Sequence, residues 1–249
     1  MIQAQVQATA DGAMLLDASL AERPQPEWLE RAAWLAQGRA RKLAGGRGGV
    51  LFVDTPVGAC ALRHYHRGGL MAQLSRDRYL WLGAERTRAF REFRLLAVLA
   101  NAGLPVPAPV AARYQRDGLR YRADLLTRRL DGVEPLAARV RAQRLDQVLA
   151  AAVGATLARF HAHGVWHADL NAHNILVDVA GKVWLLDFDR CRVRKPQLAW
   201  QRANLLRLRR SFDKLGARRV HGFDLGFWHP LLAAYHAAMV ETGSEGAGA

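Results

Sequence analysis

A chain of 249 residues that is 51% hydrophobic can bury a real core, as one large domain or as two small lobes, which excludes a disordered polar polymer. Its two cysteines, Cys60 and Cys191, exclude a disulfide framework and fit a reducing compartment, and its longest apolar runs, near Leu95 to Leu104 and Val148 to Ala158, reach only about half of the ~20 residues a spanning helix needs. The formal charge of +14 asks for an anionic partner (nucleic acid, an anionic membrane face or a phosphorylated substrate), although an arginine-rich composition by itself also explains part of it.

The N-terminal stretch MIQAQVQATADGAMLL has neither the basic start nor the continuous apolar run of a secretory signal, so a cytosolic location is expected. From Val50 to Tyr65 the text reads as two short strands joined at Pro56 to Gly58, with a glycine cluster, Gly45, Gly46, Gly48 and Gly49, at the entrance. Phe90, Phe93, Leu96, Ala97 and Ala100 then recur at helical spacing, and Gly103 followed by Pro105 stops the helix. Val110 to Tyr114 and Leu119 to Leu126 are predicted strands around the turn Asp117-Gly118, completing an antiparallel sheet. The turn formers of Leu130 to Pro135 mark the expected hinge between an N-terminal lobe, residues 1–130, and a C-terminal lobe, residues 131–249.

Beyond that hinge, Leu145, Val148, Leu149, Ala152, Val153, Leu157 and Phe160 form a wide helical stripe that Gly164 closes with a left-handed cap. Three β-rich pieces follow, Val165 to His167, Ile175 to Val179 and Val183 to Phe188. Between Arg190 and Arg219 there are eleven Arg or Lys against one acid, Asp213, with Leu205, Leu206, Leu208 and Phe212 interleaved, which reads as a basic helix. An amphipathic last helix carries Leu225, Trp228, Leu231, Leu232, Tyr235 and Met239, and GSEGAGA is expected to fray.

The chemistry sits in His167-Ala168-Asp169-Leu170-Asn171-Ala172-His173-Asn174 and Asp187-Phe188-Asp189, which match the kinase pattern H-x-D-L-x-x-x-N followed by D-F-x. Phosphoryl transfer explains these residue types. A carboxylate, Asp169, orients or accepts the proton of the attacking hydroxyl, while the amide oxygen of Asn174 and the carboxylate of Asp187 hold Mg²⁺ against the phosphates of ATP. Each residue alone has a plain structural use in a turn or a strand end; the full set in this order after a capped helix does not. His167 is read as a support of the loop, and His161, His163 and His173 lack the cysteine or carboxylate spacing of a zinc site.

Nucleotide binding also needs backbone amides near phosphates and a cation on the following strand, for which Gly46 and Gly48 and then Arg63 are the candidates. Arg63 stands where protein kinases have lysine; it keeps the charge, but its planar fork is not equivalent. Glu92 is the expected partner that orients it, with Glu85 as the alternative. Asp189 replaces the glycine of D-F-G and no A-P-E follows, which argues against a flipping activation segment and a protein substrate.

The stretches GVWHADLNAHNIL (164–176) and VWLLDFDR (183–190) resemble the lipopolysaccharide kinase family, as do LRHYHRGGL, FREFRLLAVLANAGLPVPAP and NLLRLRRSFDK in the same order, over residues 40 to 220. The resemblance implies an α+β, protein-kinase-like bilobal fold with an N-terminal antiparallel sheet and a mainly helical C-terminal lobe. It further implies ATP-dependent phosphorylation of the 4-hydroxyl of 3-deoxy-D-manno-octulosonic acid (Kdo) on a lipid A precursor, with Arg63 and Asp189 as family traits. The enzyme is then expected at the cytoplasmic face of the inner membrane, with Arg190, Arg192, Arg194, Arg207, Arg209 and Arg210 toward the acceptor or the anionic surface, and with neither a specific nucleic acid nor an obligate protein partner. A core heptose or a protein serine are the alternative acceptors.

Overall fold

A computed structural model describes residues 1–42, 49–66, 77–217 and 221–245, with side chains to residue 241. The chain forms two units, Met1–Gly103 with Pro107–Leu130, and Leu104–Val106 with Asp131–Ala249.

The first unit is built on one antiparallel sheet. It opens with a hairpin that the sequence reading does not find: β1 (Ala4–Thr9) and β2 (Gly12–Asp17). The reason is physical. β1 is an exposed edge strand, so its alternation of Gln with Ala and Val carries little apolar contrast, whereas Met14, Leu15 and Leu16 are all buried and show no period of two. Gly12 lets the sheet close, because a Cβ there would lie 2.1 Å from the Tyr114 carbonyl oxygen.

A short 3₁₀ turn, Pro26–Leu29, leads to α1 (Arg31–Ala36) and β3 (Ala40–Lys42). The expected hairpin follows as β4 (Leu51–Thr55) and β5 (Gly58–His64), then β6 (Tyr79–Leu80), α2 (Arg88–Asn101), β7 (Pro109–Asp117) and β8 (Arg120–Arg128). The strand order is β1-β2-β7-β8-β5-β4-β3, with β6 also on β8. On one face Trp28, Leu29 and Trp34 pack on Met14, Leu16, Leu51, Val53, Leu62, Ala111 and Leu126. Strand alternation turns Tyr114 to the other face, where the Phe90 ring of α2 meets it at 5.2 Å. Arg113, buried under the first face, binds Glu30, the Leu29 carbonyl at 3.0 Å and Asp124 at 3.0 Å, which ties the N-terminal segment to the sheet.

In the second unit the hinge text is partly a strand: β9 (Val133–Pro135) pairs with β11 (Ile175–Asp178), and β11 with β12 (Val183–Leu185). The helix α3 (Leu136–Arg141) precedes α4 (Gln147–Ala162), whose first turn is capped by Asp146 accepting the Leu149 N–H at 2.7 Å. Gly164 ends α4 at φ +71°, and a Cβ there would lie 2.1 Å from the Arg194 carbonyl oxygen, so glycine serves both the cap and the pairing of β10 (Val165–Trp166) with β13 (Arg192–Val193).

The basic stretch is therefore not one helix from Arg190. Its first residues form a loop and an exposed strand, and α5 spans Leu198–Lys214, while Arg218 and Arg219 fall outside the described residues. A π-turn, Asp224–Trp228, feeds α6 (His229–Glu245), so the helix takes in Gly243 to Glu245 of the expected tail, and 246–249 fall outside the described residues. Among the described residues no helix is long and apolar enough to cross a membrane.

Candidate active site

The loop after β10 is fixed by its own short polar side chains. Asn171 folds it into a turn: its Oδ1 accepts the N–H of His173 at 2.9 Å and of Asn174 at 3.3 Å, and its Nδ2 donates to the Asp169 carbonyl at 3.0 Å. Asn174 Nδ2 donates to the same carbonyl at 2.9 Å, which leaves its amide oxygen without a partner among the described residues. Asp169 itself is exposed, and its carboxylate takes no hydrogen bond or ion pair among them.

His167 is buried and is locked in one tautomer. The Asp169 N–H donates to Nδ1 at 3.2 Å, so the proton sits on Nε2, which donates to the Leu186 carbonyl at 2.9 Å. Burial pushes its pKa down and keeps the ring neutral, although the Leu186 carbonyl and the charges of Asp187 and Asp169 act the other way. The ring thus joins the backbone before Asp187 to the backbone of Asp169. The Leu186 N–H adds a second tie, donating to the Asn174 carbonyl at 2.9 Å.

Asp187 follows directly, at φ +60°. This left-handed conformation costs a non-glycine residue about 1 kcal/mol and needs a surrounding that over-determines it. Phe188 provides it, buried between the rings of Phe160 at 5.9 Å and His167 at 5.2 Å. Cys191 bridges the two loops: its thiol accepts the Ala168 N–H at 3.3 Å and lies 3.8 Å from the carbonyls of Asp187 and Asp189. Asp169, Asn174 and Asp187 are therefore carried on one hydrogen-bonded frame.

From the other flank, α5 reaches the loop twice. Asn204 accepts the His167 N–H at 3.1 Å and donates to the His167 carbonyl at 2.9 Å, and the Ser211 hydroxyl accepts the Ala172 N–H at 3.0 Å. The residue reading missed both of these, and Cys191 as well. The only signal it had was polar residues set in the apolar stripe of NLLRLRRSFDK.

In the first unit, Arg63 on β5 is ion-paired with Glu92 of α2, and the Tyr65 hydroxyl donates to Glu92 at 2.6 Å while accepting from Arg63 at 3.1 Å. Glu92 is 4% exposed, and the guanidinium lies 4.7 Å from the Tyr65 ring centre. Burial, and then the charge of Glu92, raises the Tyr65 pKa well above that of an ordinary phenol, so the hydroxyl stays a donor. Glu85 is engaged elsewhere, in a two-pronged bond to Arg94 with both contacts at 2.6 Å. Gly46 and Gly48 lie outside the described residues.

Among the described residues no group of three or more His, Cys, Asp or Glu side chains could hold a metal ion. One amide oxygen and one carboxylate suit a hard cation that takes its remaining oxygens from phosphate and water, which is how Mg²⁺ binds with nucleotides. His161, far from being a ligand, is buried against the Tyr235 hydroxyl at 2.8 Å, and burial pushes its pKa down to about 4.

The sequence pattern of the Lipopolysaccharide kinase (Kdo/WaaP) family matches residues 31–235. The chain belongs to this family. It is a phosphotransferase with an alcohol group as acceptor, on the α+β, protein-kinase-like fold that the family shares. Its relatives include proteins named 3-deoxy-D-manno-octulosonic acid kinase from Stenotrophomonas maltophilia (strain R551-3), 48% identical over 84% of this chain and 83% of that one, and from Xanthomonas axonopodis pv. citri (strain 306), 49% identical over 84% and 83%. Another, from Stenotrophomonas maltophilia (strain K279a), is 52% identical over 70% of each chain.

Proposed function

We propose that this family member transfers the terminal phosphate of ATP to the 4-hydroxyl of Kdo on a lipid A precursor, with Asp169 as the catalytic carboxylate. The observation that carries the reading is the Asp169 side chain, exposed and left without a protein partner among the described residues, on a frame that also presents the oxygens of Asn174 and Asp187. A carboxylate so placed accepts a hydrogen bond from the incoming alcohol and takes its proton as the phosphate moves across. Asn174 and Asp187 would hold Mg²⁺, which when bound supplies neutralisation of the phosphate charge. Arg63, oriented by Glu92, is the cation for the non-transferred phosphates, and Gly46 and Gly48 are the glycines assigned to their backbone contacts.

The charge of α5 supports an anionic acceptor at an anionic surface. Arg202, Arg207, Arg210 and Lys214 are exposed on it, as is Leu206, while Arg190, Arg192 and Arg194 are exposed before it. Each such cation near the cytoplasmic leaflet contributes ~1 kcal/mol of attraction. Arg209 leaves the set: it pairs with Asp213 and Asp224 and covers Phe223 and Trp228.

Incubation of the purified protein with labelled ATP and a Kdo-bearing lipid A precursor, and in separate reactions with a heptosylated core or a serine peptide, tests the reading. Phosphate located on the Kdo 4-hydroxyl by mass spectrometry and NMR is the expected result, and transfer to another acceptor alone would sink it.

A further inference from the structure

We infer that Asn204 and Ser211 are positioning residues for phosphoryl transfer, gripping the loop that bears Asp169 at both of its ends. They stand seven residues apart on α5, two helical turns, and so on one face. Their contacts on the loop, His167 and Ala172, bracket Asp169. Asn204 is buried, and it satisfies both backbone groups of a single residue, the N–H and the C=O of His167. The two ends of one amide do this, whereas a carboxylate could accept but not donate, and would place a buried charge beside His161 and His167.

Ser211 makes a relay, accepting the Ala172 N–H and donating to the Leu208 carbonyl at 2.8 Å, so the helix backbone itself braces the loop. These contacts matter for rate because they add a helix to the ties that Leu186 and Cys191 already give the loop, and a shift of about 1 Å in a reacting group costs up to about a hundredfold. The inference rests on the role proposed for Asp169.

The test uses the full chain with ATP and the Kdo acceptor, together with amide hydrogen exchange over residues 164–176. Asn204→Leu should lower kcat by about tenfold or more with the KM for ATP within about twofold, and should speed exchange in that segment while the rest of the unit keeps its protection. Ser211→Ala should lose about threefold in kcat, and Ser211→Thr, which keeps the hydroxyl, should restore it. If Asn204→Leu does not fold, Asn204→Asp, of nearly the same shape and able only to accept, is held to the same split between kcat and KM. A folded Asn204→Leu, Asn204→Asp or Ser211→Ala protein with kcat within twofold of wild type overturns the inference. Should wild-type protein leave the Kdo acceptor untouched, the substrate reading fails separately, and unaltered exchange at His167 in the Asn204 variants would still overturn this one.

Discussion

The two units hold their polar interiors in opposite ways. In the first, each buried charge is answered by an opposite one: Arg113 lies between the part-exposed Glu30 and the buried Asp124, Asp124 also binds His64 at 2.7 Å, and the buried Glu92 binds Arg63. In the second, the frame around Asp169 is made of neutral partners, with imidazole, amide, hydroxyl, thiol and backbone groups each satisfying the next. The difference suits the roles proposed for Arg63 and Asp169. A cation that meets phosphate has to be aimed, and a carboxylate behind it both aims it and offsets its desolvation. A carboxylate that must accept a proton is spoiled by a neighbouring cation, so its loop is fixed by groups that carry no charge.

The sharpest break in this contrast is Asp169→Asn. Because no contact of the fold among the described residues uses that carboxylate, its removal should lower kcat by about 10²–10⁴-fold while leaving the thermal midpoint and nucleotide binding near wild type. A stopped-assay rate with a parallel melting curve checks both halves. A large loss of stability would show that the side chain is structural after all.

Glu92→Ala attacks the first unit's strategy. It removes the carboxylate that Arg63 pairs with and the acceptor of the buried Tyr65 hydroxyl, so a loss of about 2–3 kcal/mol is expected, with a several-fold rise in the KM for ATP, measured by denaturant unfolding and initial rates. Glu92→Gln keeps an acceptor for Tyr65 and should fall between. A wild-type KM in a folded Glu92→Ala protein would remove Arg63 from the nucleotide site.

How much of this was legible in the sequence follows the range of the forces involved. The hairpin β4–β5, helix α2 and the hairpin β7–β8 were read correctly because local periodicity and turn chemistry specify them. The N-terminal hairpin is not legible, since an exposed edge strand leaves no apolar stripe, and Arg190 to Gln197 reads as helix only because charge composition says nothing about backbone period. Asp169, Asn174 and Asp187 stood out through their fixed spacing on neighbouring loops. Asn204, Ser211 and Cys191 did not, because they act from 23 to 39 residues away in the chain, and only tertiary structure brings such partners to the loop.

The contrast also has a sign in pH. In the second unit, burial pushes His161 down to about 4 and His167 in the same direction, so the unfolded chain binds those protons near pH 6.5 while the folded unit refuses them. In the first, burial alone would lower His64, but its hydrogen bond to Asp124 and the charges of Asp124 and Asp77 raise it, so the folded unit binds that proton more tightly. Stability from His64 is full below the unfolded value and is lost as pH rises through the folded one. Acidification from about pH 7.5 to about pH 5.5 should therefore cost the second unit on the order of 1 kcal/mol and the first unit less, because there the raised His64 opposes His66, which burial lowers. Hydrogen exchange in α4 against β7 and β8 reads the two responses, and equal losses in both would contradict the assignment.

The smallest effect sharpens the comparison most cheaply. Glu85 and Glu92 lie near the same helix and both bind arginine, yet Glu85 is 58% exposed and its partner Arg94 42%. Its fork geometry is good, and the Arg94 bond lowers its pKa, but water screens the pair and solvates either side chain when the other is removed. Glu85→Ala should cost less than about 1 kcal/mol, lose even that difference in high salt, and leave the KM for ATP unchanged. If it instead raised KM as Glu92→Ala is expected to, proximity to the helix start rather than burial with Arg63 would be what couples an acid to the nucleotide, and the division between buried, aiming carboxylates and solvated, ornamental ones would fail in this unit.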